Sequence, residues 1–259
     1  MTNLWERRLR RANRLENEWP FAGEILAFYR SIIPIQADMA RQVAASGARN
    51  PEDYPLARLG SFLDPLLDLV AESGPEVLAR EAADLLAVHA EKRVARVIGA
   101  DPGRWWASEE GQPPFFTRVL LEPYLATLPL ERSKESGPRA SCPFCGGAAL
   151  VGLLREDRSA GARRRTLQCS LCSREWDLAR VLCPACGEER PEKLPRYEAE
   201  EIPWVRIEAC DSCLKYVKAV DLSKSPEAEP VVDELASTPL DVIARERRYA
   251  KLAPNLAGI

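Results

Sequence analysis

The chain changes its hydrophobic period once. As far as about Pro129, apolar residues recur at three- and four-residue steps, the spacing that gives an α-helix one apolar face. Leu4, Trp5, Leu9, Ala12 and Leu15 predict a first helix whose outer face is basic, carrying Arg7, Arg8, Arg10, Arg11 and Arg14, either a solvated charged face or a surface for an acidic partner. Phe21, Ile25, Phe28, Tyr29, Ile32 and Ile33 predict a second. Pro34 should kink that helix rather than end it, because the pattern resumes through Met39 and Val43. Further helices read from Leu56 to Ala71, from Pro75 to Ile98, and from after Pro113-Pro114 to about Leu128, with Pro65 and Pro123 interrupting two of them.

The stretch ERSKESGPRAS at 131–141 has no large apolar residue and reads as a linker. Beyond it the period moves towards two. AALVGLLR, RTLQC, WDLARVL, PWVRIEA and KYVKAVDL are strand candidates between turns, and a last helix is expected from Pro230 to Ala250 with Pro239 kinking it. The expected class is α+β: a helical domain at 1–130, a linker at 131–141, a first β ribbon at 142–181, a second at 182–225, and a C-terminal helix and tail at 226–259.

All eight cysteines of the 259-residue chain lie between Cys142 and Cys213. They form four C-x₂-C pairs, Cys142/Cys145, Cys169/Cys172, Cys183/Cys186 and Cys210/Cys213, and the second half repeats the first 41 residues later. Two intervening residues let a tight turn aim both sulfurs at one ion, and Gly146 and Gly187 stand where such a turn wants positive φ. The repeat pairs Cys142, Cys145, Cys169 and Cys172 as one metal site, and Cys183, Cys186, Cys210 and Cys213 as the other. The SAG at 159–161 would turn the first hairpin. Four thiolates suit zinc or a single iron, and the run typical of an iron–sulfur cluster is missing. Such closed sites leave no open coordination position, so no catalytic residue is assigned.

Charge narrows the partners. Residues 1–137 carry 17 Lys+Arg and 20 Asp+Glu, and residues 138–259 carry 19 of each. Neither half is a basic footprint for nucleic acid. No apolar run reaches the roughly 20 residues of a membrane-spanning helix, and the basic start lacks the apolar segment of a secretory signal. A cytoplasmic location is expected. His89, the single histidine, reads as an ordinary helix residue on the stripe Leu78, Ala82, Leu85. Trp105-Trp106 reads as a core or capping element, with a partner anchor as the alternative. Arg163, Arg164 and Arg165 form either a solvated strand edge or a partner-binding patch.

The segments CPFCGG, LQCSLCSREW, ARVLCPACGE and EACDSCLKYVKAVDL, followed by VVDELASTPLDVIARE, resemble the FdhE family of formate dehydrogenase accessory proteins. The resemblance is close over about 140–250 and looser through FAGEILAFYRSIIPIQ. It implies a cytoplasmic, non-enzymatic factor with rubredoxin-like iron on its C-x₂-C motifs. It also implies a partner, the catalytic subunit of a respiratory formate dehydrogenase, matured before export. Two departures stand out. Leu214 replaces the glycine more usual after the last cysteine, which should loosen the fourth turn, and Pro239 falls in a helix that is usually unbroken. Two rival functions remain, a rubredoxin-like electron carrier and a nucleic-acid-binding zinc ribbon. The charge balance counts against the second.

Overall fold

A computed structural model describes residues 4–50, 53–99, 114–133, 140–157 and 162–258. Trp105-Trp106, the SAG turn and most of the expected linker lie outside the described residues. The helical half contains α1 (Leu4–Glu18), α2 (Gly23–Ala45), α3 (Gly60–Ser73), α4 (Glu76–Leu86), α5 (Ala90–Ile98) and α6 (Phe115–Thr127). As expected, α2 runs on through Pro34, burying Leu26, Tyr29, Ile32, Ile33, Met39 and Val43.

The helix expected over 75–98 is two helices. His89 stands at their junction in extended backbone and is exposed, off the stripe assigned to it. Arg93 explains the break: its guanidinium binds the carbonyls of Leu86 at 2.7 Å and Val88 at 2.8 Å, and Asp64 at 2.7 Å. The carbonyls left over at the end of α4 are thereby satisfied without continuing the helix.

The ribbons form one sheet rather than two. Its strands are β1 (Ala149–Asp157), β2 (Ala162–Cys169), β3 (Glu175–Asp177), β4 (Arg196–Glu198), β5 (Val205–Cys210), β6 (Lys215–Asp221) and β7 (Ala250–Lys251). The order is β3-β2-β1-β6-β5-β4, with β7 also on β6. The 41-residue repeat maps the first three strands onto the next three, so the sheet is one three-stranded unit set beside its copy. The joint is a parallel pairing of β1 with β6, Val151 opposite Lys218 and Leu153 opposite Val220. Gly152 permits it, because a Cβ there would lie 3.3 Å from the Ala219 side chain. The two strands at the joint are long and the two at the rims, β3 and β4, have three residues each, which limits edge pairing with other chains.

Two expected elements end early. Only Trp176 and Asp177 of WDLARVL are strand, at the end of β3. Arg165 takes the carbonyls of Ala179 and Leu182 and turns the chain out of the ladder towards the second cysteine unit. The last helix is broken rather than kinked, into α7 (Pro230–Ala236) and α8 (Thr238–Glu246). Pro239 cannot donate to the preceding turn. The Ser237 hydroxyl caps the Glu234 carbonyl at 3.0 Å, and the buried Lys218 ammonium reaches the carbonyls of Glu234 and Ser237.

Two apolar clusters form the core, and both cross from helices to sheet. One joins α2, α3 and α6 to Leu167, Cys169, Leu171, Cys172 and Trp176. The other joins α1 and α2 to Leu150, Val151, Ile207 and Val220 and to α7 and α8. Charge is buried with them. The basic face expected on α1 is only partly outward, since Arg8 and Arg11 lie in the interior. Arg8 binds Glu122 at 2.6 Å and the Ser173 hydroxyl at 2.9 Å, and Glu229 lies 3.5 Å away. Arg11 makes a two-point pair with Asp233 at 2.9 and 2.6 Å, and Trp204 donates to the same carboxylate at 2.8 Å. Burial opposes the Arg8 charge, but Glu122, Tyr29 and Glu229 outweigh it and hold the group above its ordinary pKa.

Candidate metal centres

Three of the four cysteine pairs sit on a reversal of the backbone closed by the same hydrogen bond. Gly146 N donates to Cys142 O at 2.9 Å, Gly187 N to Cys183 O at 2.9 Å, and Leu214 N to Cys210 O at 2.8 Å. Positive φ occurs at the residue after each second cysteine: Gly146 at 79°, Ser173 at 55°, Gly187 at 80° and Leu214 at 56°. The loosening expected from Leu214 is therefore not seen. Leucine holds the left-handed turn at a cost of about 1–3 kcal/mol.

These turns point main-chain N–H groups at sulfur. Phe144 N reaches Cys142 Sγ at 3.4 Å, Gly147 N reaches Cys145 Sγ at 3.4 Å, and Leu171 N reaches Cys169 Sγ at 3.3 Å. In the second unit Ala185, Glu188 and Lys215 donate in the same way to Cys183, Cys186 and Cys213. Each donor lies two residues beyond its sulfur, as the C-x₂-C turn requires.

The hairpins bring the turns together as the repeat predicts. Cys142, Cys145, Cys169 and Cys172 form one group and Cys183, Cys186, Cys210 and Cys213 another, each with its sulfurs within 4.8 Å of one another. Cys142 Sγ lies 3.5 Å from Cys172 Sγ, and Cys145 Sγ 3.4 Å from Cys169 Sγ. The matching distances in the second group are 3.7 and 3.6 Å. A tetrahedron with metal–sulfur bonds of about 2.3 Å has sulfurs roughly 3.8 Å apart. Disulfide sulfurs would lie near 2 Å, and all eight thiols are free. Both donor sets fit a tetrahedral thiophilic ion. Hydrogen bonds from the other three sulfurs pull Cys142 below the ordinary thiol range, while burial pushes Cys169 above it.

The two groups differ in setting. In the first, three cysteines are buried and Cys145 is half-buried. Ser173 ties that unit to Arg8, and Arg174 binds the carbonyls of Leu125 and Leu128 at the end of α6. In the second, Cys186 is exposed and Cys213 half-buried. Metal analysis should therefore find two ions per chain, and a chelator should remove them in two phases, the fast phase belonging to the second site. A single phase, or one ion per chain, would contradict this asymmetry.

Arg163 and Arg164 are exposed and pair with Asp221 at 3.2 Å and Asp177 at 2.7 Å. Arg165 is buried against Glu208 at 2.6 Å. Of the residues that fix the first unit to the helices, Glu122 and Ser173 carry no sequence signal, and Arg8, expected on the outer face of α1, is buried. The available signal was Arg8 itself, which sits on the apolar stripe Trp5, Ala12, Leu15 rather than opposite it.

Family models describe the cysteine half throughout: "FdhE, central domain" matches residues 141–180 and "FdhE, C-terminal domain" matches residues 181–257. The crystal structure of the FdhE protein from Pseudomonas aeruginosa superposes with a TM-score of 0.67 at 25% identity, covering 98% of this chain and 95% of that one. The cysteine half belongs to the FdhE family. An FdhE homolog of Aquifex aeolicus is 26% identical over 92% of this chain and 87% of its own length, and one from Cronobacter sakazakii is 28% identical over 98% and 88%. One from Pseudomonas putida is 36% identical, but over only 51% of this chain and 43% of its own. Family likeness thus extends through the helical half, and no helix among the described residues is long and apolar enough to cross a membrane.

Proposed function

We propose that this chain is a metal-binding accessory factor for maturation of the catalytic subunit of a respiratory formate dehydrogenase, with no catalysis of its own. One observation carries the reading. The part of the chain that matches the family models is built around two cysteine tetrads, and four protein ligands on a tetrahedral ion leave no position for a substrate. Bound metal would supply folding free energy, holding the ribbons as a surface against the helices. The resemblance favours iron, and zinc fits the same sulfurs. Eight free thiols suit a reducing compartment, so the factor would meet its client in the cytoplasm before export.

Deleting the protein should abolish membrane-linked formate oxidation while the catalytic subunit is still synthesised, and purified protein should capture that subunit directly. Intact formate oxidation in the deletion strain would overturn the reading. The exposed Cys186 favours a second function, electron transfer through the second site, which requires iron there. Colourless, zinc-loaded protein from iron-replete anaerobic cells would remove that alternative.

A further inference from the structure

We propose that the cleft between α1 and the first cysteine unit binds an extended acidic segment of a polypeptide. Only the identity of that polypeptide as the formate dehydrogenase client rests on the function proposed above. The cleft encloses about 740 Å³. Its walls are the outer face of α1, the Cys172–Ser173–Arg174 turn and the loop leading to Pro230. Six arginines line it against three carboxylates, Glu175, Glu227 and Glu229.

Arg11 is cancelled by the buried Asp233 and Arg155 by Glu175, which leaves Arg10 and Arg174, with no ion pair among the described residues, as the cleft's uncancelled cations. Glu229 faces the buried Arg8 and accepts from Val232 N at 3.2 Å, and Glu175 is held by Arg155 at 2.6 and 2.9 Å. Arg14 shares Glu18 at 2.7 Å and Glu227 at 3.7 Å in half-exposed pairs worth little in water. Arg7 and Arg10 are exposed, and among the described residues Arg10 makes no ion pair. Arg174, facing them, is held by main-chain carbonyls and by the Phe144 ring, which fix its position without cancelling its charge.

The layout favours a chain over a compact anion. Arg7, Arg10 and Arg14 follow one another along a single helix face, spanning about 10 Å at 1.5 Å per residue. An extended peptide advances about 3.3 Å per residue, so alternate side chains can meet successive arginines. A phosphate site instead gathers N–H groups on one point, and the helix start within this cleft, at Pro230, is already capped by Glu229. The arginines at 163–165 lie on β2, away from this cleft, and among them Arg165 is buried against Glu208. Because one wall is a cysteine turn anchored to α1 through Ser173 and Arg8, an ion in the first site would also hold the cleft in shape.

The test uses full-length, metal-replete protein and a labelled peptide alternating Glu with Ser, beside its Gln twin and inorganic triphosphate. The Glu peptide should bind and the Gln peptide should not. Arg7→Glu/Arg10→Glu should weaken binding about tenfold or more with metal content unchanged, and Arg163→Glu/Arg164→Glu should not. Affinity should fall between 0.1 M and 1 M salt, where the Debye length shrinks from about 10 Å to about 3 Å. Equal binding of the Gln twin, an unaffected Arg7→Glu/Arg10→Glu variant, or binding of triphosphate without the peptide overturns the proposal. Capture of purified catalytic subunit separates the two readings. If wild type and the α1 variant capture it equally, the cleft proposal fails and the client stands. If the peptide binds through the cleft but the subunit is never captured, the client reading fails and the cleft stands.

Discussion

Lys218→Ala should lower stability by about 3–5 kcal/mol, the range measured when one partner of a buried ion pair is removed. Lys218 is fully buried on β6, with Asp241 at 2.6 Å and Glu234 at 3.0 Å. Lys251 lies against the same two carboxylates, and the Tyr216 hydroxyl donates to Asp241 at 2.7 Å. Burial pulls Lys218 below its ordinary pKa, with Glu234 opposing that shift. Removing its ammonium leaves two buried carboxylates sharing Lys251, and it frees the carbonyls of Glu234 and Ser237 at the break between α7 and α8. Urea unfolding of metal-replete protein checks this, because ΔΔG at constant m appears as a lower midpoint. Lys218→Met/Asp241→Asn should cost less than the single change, since it removes both charges together. An unchanged midpoint for Lys218→Ala would show that the network adds nothing to stability.

The two metal centres should answer cysteine replacement very differently. Cys142→Ser/Cys145→Ser should unfold much of the chain, whereas Cys186→Ser/Cys213→Ser should leave a folded protein carrying one ion. Cys142, Cys169 and Cys172 belong to the apolar cluster that includes Phe62, Leu66 and Leu121, so loss of the first ion opens the helical core. Apparent binding free energies of about 10–16 kcal/mol for structural Cys-rich sites are as large as the whole stability of a typical domain, about 5–15 kcal/mol. The second tetrad lies towards the surface, and its hairpin is also held by β5 pairing with β6 and by packing under α8. Metal analysis together with far-ultraviolet circular dichroism reads both quantities. Equal loss of helix signal in the two variants would refute the asymmetry.

What the sequence makes legible is what short-range geometry dictates. The cysteine turns, their pairing across a hairpin and the glycines at 146 and 187 follow from spacing within a few residues, and all are found as expected. The helix through Pro34 is legible because its apolar stripe continues on both sides. The features that escaped depend on distant partners. Arg8 lies on the apolar stripe of α1, but the carboxylates that make its burial possible, Glu122 and Glu229, come from more than a hundred residues away, as Asp233 does for Arg11. Arg93 ends α4 and Arg165 ends the third strand by binding carbonyls, an effect invisible to hydrophobic periodicity. The union of two ribbons into one sheet depends on Gly152 approaching Ala219, a contact across 67 positions that no local pattern announces.

The parallel joint between β1 and β6 also sets an order of events on the ribosome. When β1 emerges its inner edge has no neighbour, and Arg8 and Arg11 of α1 have been waiting since the first moments of synthesis for carboxylates on the last stretch of chain. At about 5–20 residues per second, the roughly 210 positions between α1 and α7 take on the order of 10–40 s to translate. Late in that interval, once Cys172 has emerged, the nascent chain can load the first ion, yet the second apolar cluster, which needs α7 and α8, cannot close. A ribosome stalled before Pro230 would therefore hold a metal-charged but open polypeptide, prey to proteases and chaperones alike.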